Sequence, residues 1–179
     1  CGENAMFIGC DITKKDQLKN SFFEIIKNFG GIDILICNAG AAWEGTITEI
    51  EESIFRKSME LNFFAHLNSC QSCLSIFHAQ DFNEMDSSNL IGGQILFNIS
   101  KQAINPGPNF GSYGITKSAL ASLMRQISLE EGKNKIRSNG VNADRIKSGL
   151  LNSEMIKNRS LARGISEKEY MAGNLLKSE

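Results

Sequence analysis

Residues 32–40 read IDILICNAG, and this short stretch decides the fold class. An apolar run of this length is too short for a helix and is typical of a strand covered by neighbouring elements. The run is predicted to end at Asn38, Ala39 and Gly40, since Asn and Gly favour turns. Gly40 either makes this turn or allows the backbone to approach a flat ligand closely.

Helical and extended stretches alternate on both sides of this strand. The predicted elements, in chain order, are a strand over residues 5–10, a helix with Leu18, Phe22, Ile25, Ile26 and Phe29 on one face, the strand over residues 32–37, a helix over residues 48–77, a strand over residues 94–100, a helix over residues 113–131, a strand over residues 136–142, and helical structure over residues 149–179. The first two helices are predicted to begin at capping boxes formed by Thr13 with Asp16 and by Thr48 with Glu51. This alternation predicts an α/β fold with a doubly wound parallel sheet, in which ligands bind at the carboxyl ends of the strands.

Composition limits the classes of function. The chain has 179 residues, of which 41% are apolar, and this is enough for the core of one domain. With 19 basic and 20 acidic residues, the net charge of −1 argues against nucleic acid or an anionic membrane as a partner. No apolar run approaches the roughly 20 residues that a membrane span requires. The five cysteines lie among apolar neighbours, as reduced thiols do. The sequence therefore predicts a cytoplasmic protein that acts on a small molecule.

Tyr113 and Lys117 are the strongest candidates for chemistry. Their four-residue spacing places the phenol and the ammonium on one face of a helix. A positive charge at about 4 Å favours the phenolate by up to about 4 kcal/mol, which predicts a phenol pKa lowered from about 10 toward 7. The same spacing also arises by chance. Ser100, at a strand end, is predicted to face the same cleft. Asn62, within an apolar helical stretch, either has a polar partner or lies on the helix surface.

These residues in this order resemble the short-chain dehydrogenase/reductase family, over residues 11–148. Residues 38–40 are similar to the family's Asn-Asn-Ala-Gly turn, with Cys37 in place of its first Asn. The positions that match the family's catalytic tetrad are Asn62, Ser100, Tyr113 and Lys117. The resemblance implies a Rossmann-type three-layer α/β/α fold and an oxidoreductase that transfers a hydride between a nicotinamide cofactor and a small hydroxy or carbonyl substrate.

The resemblance also implies a role for each side chain. Tyr113 gives a proton to the carbonyl oxygen, or takes one from the alcohol, and Ser100 holds that oxygen. Lys117 lowers the pKa of Tyr113 and binds the ribose hydroxyls, while Asn62 holds a water that relays protons. The residues implied to bind the cofactor are Asp11, Ile12, Asn38, Ala39, Gly40, Tyr113, Lys117 and Ser148. The cofactor is NAD or NADP, with NAD preferred.

The chain departs from the family's pattern at its ends. No Gly-rich turn, which would bring a helix N-terminus to the pyrophosphate, precedes Asp11. We expect residues 1–179 to form a single truncated dinucleotide-binding domain, which lacks this turn and a C-terminal strand. On its own, such a fragment is not expected to bind dinucleotide well or to turn over.

Two further resemblances bear on substrate and assembly. Residues 141–151, 162–166 and 170–176 resemble the dehydrogenase part of bacterial bifunctional aldolase/short-chain dehydrogenases, which implies a sugar-derived substrate. The helices over residues 48–77 and 113–131 resemble the family's dimerisation pair, so a homodimer or homotetramer is expected. Their large side chains Phe63, Phe64 and Phe77 lie either in that interface or in the core.

Several alternatives stay open on the sequence alone. One is a non-catalytic relative that binds the cofactor and acts as an interaction or regulatory module. Another is an epimerase or dehydratase, which would use the same Tyr113 and Lys117 pair. Trp43 lines the substrate cleft or packs in the interior. Arg145 either meets phosphate or an acidic substrate or is solvated. No metal site is expected, since the chain's two histidines lie twelve residues apart. The cysteines at positions 70 and 73 are assigned to packing.

Overall fold

The computed structural model describes residues 4–80, 92–146, 149, 151–161 and 163–173. These residues form two units, divided after Val141. The elements of the first unit are α1 (Lys15–Phe29), β1 (Ile34–Cys37), α2 (Glu52–Met59), a π-helical turn (Glu60–Phe64), α3 (Ala65–Ala79), β2 (Gln94–Asn98), a 3-10 turn (Lys101–Ala103), α4 (Gly111–Glu131), a second 3-10 turn (Gly132–Asn134) and β3 (Arg137–Val141). The second unit carries α5 (Ser153–Leu161) and α6 (Glu167–Ala172). The predicted alternation of strands and helices is therefore confirmed from β1 onward.

The three strands form one parallel sheet in the order β1-β2-β3. Alternate residues of β2 point into the core, where Ile95 and Phe97 are fully buried. In the register of the sheet, Cys37 lies beside Phe97, so the ends of β1 and β2 are level. The core that covers this face comes from α1, α3 and α4, through Leu18, Phe22, Cys70, Cys73, Phe77, Leu120 and Ile127. Phe77 therefore belongs to the core, and of the three phenylalanines considered for an interface, Phe64 is the exposed one.

The other face of the sheet is open among the described residues of this unit. Ile34 and Ile36, which alternate with the core-facing residues of β1, are 56% and 63% exposed. The prediction of a covered strand is thus right for one face of β1. The side chains on the second face have no described helix of the same unit packed over them.

The strand predicted over residues 5–10 does not form. A strand is stabilised by hydrogen bonds to a neighbour, and the described sheet consists of β1, β2 and β3 alone. Apolar residues in this segment, such as Ile8 and Cys10, instead line a cavity beside β1. The segment is not buried either: Phe7 is 94% exposed, and Ile8 and Cys10 are only half-buried.

Both predicted capping boxes are also wrong. α1 begins after Lys14, without a side-chain cap, because Thr13 donates its N–H and hydroxyl to Asp11 Oδ1, at 3.0 and 2.8 Å. α2 begins after Glu51, again without a side-chain cap. The capping box that does form is at α6, between Ser166 and Glu169. Several polar residues near each start compete for the N-cap position, and tertiary contacts select among them.

The second unit has its own small apolar cluster, in which Leu151, Ile156 and Tyr170 are buried. The Arg145 guanidinium lies 4.7 Å from the centroid of the Tyr170 ring and also donates to the Tyr170 carbonyl. In the described part of the chain, no helix is both long enough and apolar enough to cross a membrane.

Candidate active site

The carboxyl ends of β1 and β2 bring polar groups together at one edge of the sheet. Asn38 directly follows β1 and Asn98 ends β2, and Asn98 Nδ2 donates to Asn38 Oδ1 at 2.9 Å. Ser100 lies two residues further on, in an extended conformation that precedes a 3-10 turn. Because parallel strands end at the same edge, residues distant in sequence meet here.

α4 brings Tyr113 and Lys117 to this edge. Both lie in its first two turns, and Lys117 Nζ donates to the carbonyl of Asn98 at 2.8 Å. The same ammonium lies 5.6 Å from the centroid of the Tyr113 ring. The Ser100 side chain lies near enough to the Tyr113 phenol to lower the pKa of that phenol. The structure therefore joins Ser100, Tyr113 and Lys117 in one group, as the spacing along the chain predicts.

Burial sets the protonation of this group. It raises the pKa of Tyr113, and the neighbouring Ser100 side chain lowers this pKa only in part. Burial also lowers the pKa of Lys117 to about 8, because a charged ammonium loses its hydration at a position that is 3% exposed. The expected lowering of the Tyr113 pKa toward 7 is therefore absent from this structure. The ammonium contacts the Asn98 carbonyl, and burial is the largest influence on the pKa of Tyr113.

Asn62 lies in the π-helical turn, and its fully buried side chain binds the loop that follows β1. Its Oδ1 accepts from the N–H of Ala41 at 3.1 Å, and its Nδ2 donates to the carbonyl of Ala41 at 2.9 Å. A Cβ on Gly40 would come within 2.8 Å of Asn62 Oδ1 and 3.8 Å of Lys117 Nζ. Asn62 therefore has a polar partner, and Gly40 is needed for the close approach of the loop to this amide.

Two buried serines connect Asn62 to the start of α4. Asn62 Nδ2 donates to Ser58 Oγ at 3.1 Å, and Ser58 Oγ donates to the carbonyl of Ser112 at 3.2 Å. Ser112 Oγ in turn donates to the carbonyl of Trp43 at 3.2 Å. Both serines are fully buried. This network was not predicted from the sequence, although the four-residue spacing of Ser58 and Asn62 on one helix face was a usable signal.

We expect Ser58→Ala to destabilise the protein by about 1–3 kcal/mol, because it leaves an Asn62 N–H and the Ser112 carbonyl without their buried partner. Urea unfolding measures this loss. Ser75→Ala is the matched control, because Ser75 Oγ donates to the carbonyl four residues earlier on the exposed face of α3. We expect the control to change stability by less than about 0.5 kcal/mol. Equal effects of the two substitutions would contradict a structural role for the network.

The residues assigned to the cofactor are partly grouped. Ile12, Asn38 and Ala39 line one cavity of about 420 Å³ beside β1. Asp11 is exposed, and its hydrogen bonds from Thr13 lower its pKa, so it stays ionised. Ser148 lies outside the described residues, so its assigned contact has no structural counterpart here.

Residues that the sequence left open have clear partners. Trp43 lies beside Lys57, whose Nζ is 5.1 Å from the ring centroid. His66 Nε2 lies 2.8 Å from the carbonyl of Ala39. Because a carbonyl oxygen accepts hydrogen bonds, the imidazole donates this one.

Cys70 and Cys73 are buried in the core, as predicted. Within the described segments, no group of three or more His, Cys, Asp or Glu side chains is placed to hold a metal ion.

Comparison with known proteins finds relatives among oxidoreductases. The chain is 31% identical over 140 residues to the glucose 1-dehydrogenase of Gluconobacter oxydans. This alignment covers 78% of this chain and 49% of that protein. The chain is also 30% identical over 163 residues to the uncharacterized oxidoreductase YuxG of Bacillus subtilis. This second alignment covers 90% of this chain and 22% of that protein. The chain thus spans about half of the first relative and less of the second.

The fold is shared with solved structures. A short chain dehydrogenase family protein from Francisella tularensis aligns with a TM-score of 0.73 at 28% identity, over 95% of this chain and 64% of that one. This confirms the predicted Rossmann-like α/β fold with a parallel sheet. The model of the family described as "short chain dehydrogenase" matches residues 1–159. Since this match spans most of the sequence, the chain belongs to the short chain dehydrogenase family.

Proposed function

We propose that the protein is an oxidoreductase that uses NAD or NADP to interconvert an alcohol and a carbonyl in a small, sugar-derived substrate. The observation that carries this proposal is the group formed by Ser100, Tyr113 and Lys117 at the carboxyl ends of β1 and β2. A hydroxyl, a phenol and an ammonium within reach of one another can hold a substrate oxygen and exchange a proton with it. Similarity to a glucose dehydrogenase supports the class of substrate.

Two features of the described residues support binding of such a cofactor. The cavity beside β1 combines apolar side chains with the amide of Asn38, which suits a flat heteroaromatic ring. Lys117 Nζ, which carries three donors, suits the ribose hydroxyls. Bound nicotinamide supplies the hydride in carbonyl reduction and accepts it in alcohol oxidation. We keep NAD as the preferred cofactor and compare it with NADP in the assay below.

The chain's own residues handle the proton. The Ser100 hydroxyl and the Tyr113 phenol both donate to the substrate oxygen, and Tyr113 gives up its proton as that oxygen gains negative charge. Because burial raises the pKa of Tyr113, the phenol starts out protonated and ready to act as the acid. In the reverse direction, the phenolate takes the proton from the alcohol, and the positive charge of Lys117 stabilises it. Asn62 acts as a positioning residue, because it holds the loop after β1.

We also infer the domain organisation, the location and the oligomeric state of the protein. We infer one dehydrogenase domain over residues 1–179 in a cytoplasmic, bacterial homo-oligomer, a dimer or a tetramer. The half-exposed Phe64, beside a cavity along α2, supports an interface on this helix. The alignment with the much longer YuxG supports our proposal of a relationship to bifunctional aldolase/short-chain dehydrogenases.

The test is a screen of the full-length protein with NAD and with NADP against polyols, hydroxy acids, sugars and lactaldehydes. Nicotinamide absorbance follows both directions of the reaction. We expect substrate-dependent turnover with at least one sugar-derived alcohol or aldehyde. Absence of turnover with every compound, together with no measurable binding of either dinucleotide, would contradict the proposed function.

A further inference from the structure

A pair of thiols lies beside the candidate active site. Cys37 ends β1 and Cys70 lies on α3, and their Sγ atoms are 3.9 Å apart. Both residues are buried in the core. The proposed proton transfer uses neither of them. A pair of nucleophilic groups at this distance requires an explanation of its own.

We propose that Cys37 and Cys70 form an oxidative modification site, in which a hydroperoxide oxidises Cys37 and Cys70 then closes a disulfide with it. The Cys37 thiolate attacks the O–O bond of hydrogen peroxide, so that an S–O bond forms, the O–O bond breaks and the released hydroxide is protonated to water. The peroxide is reduced by two electrons, and Cys37 becomes a sulfenic acid. Cys70 then attacks this sulfur, forming the S–S bond and releasing a second water.

Access distinguishes Cys37 as the first thiol to react. It lines the cavity of about 420 Å³ beside β1, together with Asn38, Ala39 and His66. Cys70 is not among the residues that line this cavity. A small polar oxidant that enters the cavity therefore meets Cys37 before Cys70.

The surroundings of the two thiols support the same order. The Cys70 thiol, within hydrogen-bond distance, lowers the pKa of Cys37 most, and His66 and the positive charge of Lys117 lower it further, against the effect of burial. Cys70 faces Cys37 and Cys73, and both this contact and burial raise its pKa. The thiolate form is the nucleophile, so Cys37 is the more reactive thiol of the pair. Cys73 is less suited, because burial raises its pKa to about 12.

The disulfide requires a small movement with a defined consequence. The two Sγ atoms must close from 3.9 Å to a bonded distance of about 2.05 Å. Cys37 directly precedes Asn38, so the movement is transmitted to the turn that contacts Asn98. If the proposed function holds, oxidation also lowers turnover, but formation of the disulfide does not depend on that function.

Peptide mapping of the full-length protein tests the proposal. The protein is treated with hydrogen peroxide, alkylated with iodoacetamide and digested without reductant. We expect mass spectrometry to find the Cys37 and Cys70 peptides linked, with the loss of two hydrogens, and separated again after dithiothreitol. Alkylation of both cysteines to the same extent with and without peroxide would overturn the proposal. Linkage of Cys37 to Cys10, which lines the same cavity, would also overturn it.

Two variants separate the steps. In Cys70→Ser we expect Cys37 to remain a sulfenic acid, which dimedone labels, because the second thiol is missing. In Cys73→Ser, the matched control on the same helix, we expect the disulfide to form as in the unmodified protein. Dimedone labelling of Cys70 in Cys37→Ser that is as fast as labelling of Cys37 in Cys70→Ser would contradict the assigned order.

Discussion

We expect Tyr113→Phe to lower kcat by about 10³-fold, within the range of general acid–base catalysis. The substitution removes the hydroxyl that lies near Ser100 and, in the proposed mechanism, donates the proton, but it keeps the ring beside Lys117. The dissociation constant of the dinucleotide should therefore change by less than about threefold, under about 1 kcal/mol. Steady-state turnover and equilibrium binding on the same preparation measure the two effects.

The matched control for this prediction is Tyr170→Phe. Tyr170 is the other tyrosine of the chain, and it is buried in the cluster of the second unit, under Arg145. We expect this variant to keep kcat within a few fold of the unmodified protein. Comparable activity in Tyr113→Phe would show that the phenol is not the proton donor.

Lys117→Met has the second largest expected effect, and it acts on activity and on stability. Activity falls by about 10²-fold or more, because no positive charge then stabilises the phenolate of Tyr113.

The effect of Lys117→Met on stability depends on pH. Burial lowers the pKa of Lys117 from 10.5 to about 8, so between these values the unfolded chain binds more protons than the folded one. The free energy of unfolding therefore gains about 3 kcal/mol from this group as the pH rises from below 8 to above 10.5.

Urea unfolding from pH 7 to pH 10 measures this dependence. We expect the stability of the unmodified protein relative to Lys117→Met to rise across the range, by about 2 kcal/mol. Lys19→Met, on the exposed side of α1, is the control and should track the unmodified protein at every pH. A constant difference between the unmodified protein and Lys117→Met would mean that Lys117 is not desolvated in the folded state.

Local patterns were enough to predict the strands and helices that pack on one core. The apolar run that ends at Cys37 and the helical spacing of Tyr113 and Lys117 both report short-range geometry, and both are confirmed. The segment 5–10 shows the limit of such patterns, because pairing depends on a neighbour in space. In the described residues β1 pairs with β2, and residues 5–10 pair with no strand.

The parts of the candidate site that could not be predicted depend on contacts between distant residues. Ser58 and Ser112 are 54 positions apart, and Cys37 and Cys70 are 33 apart. No periodicity reports such pairs. The direction of the Tyr113 pKa shift was missed for a related reason: the spacing to Lys117 is visible in the sequence, whereas the burial that outweighs its charge is not.

Transfer of deuterium from C4 of reduced nicotinamide to the substrate tests the proposed hydride transfer most directly. The full-length protein is supplied with the 4-deuterated cofactor and the best carbonyl substrate from the screen, and the product is analysed by mass spectrometry. We expect an alcohol that carries one deuterium at the former carbonyl carbon, formed at the lower rate in Tyr113→Phe. A product without deuterium, or one formed equally fast by Tyr113→Phe, would contradict the proposed function.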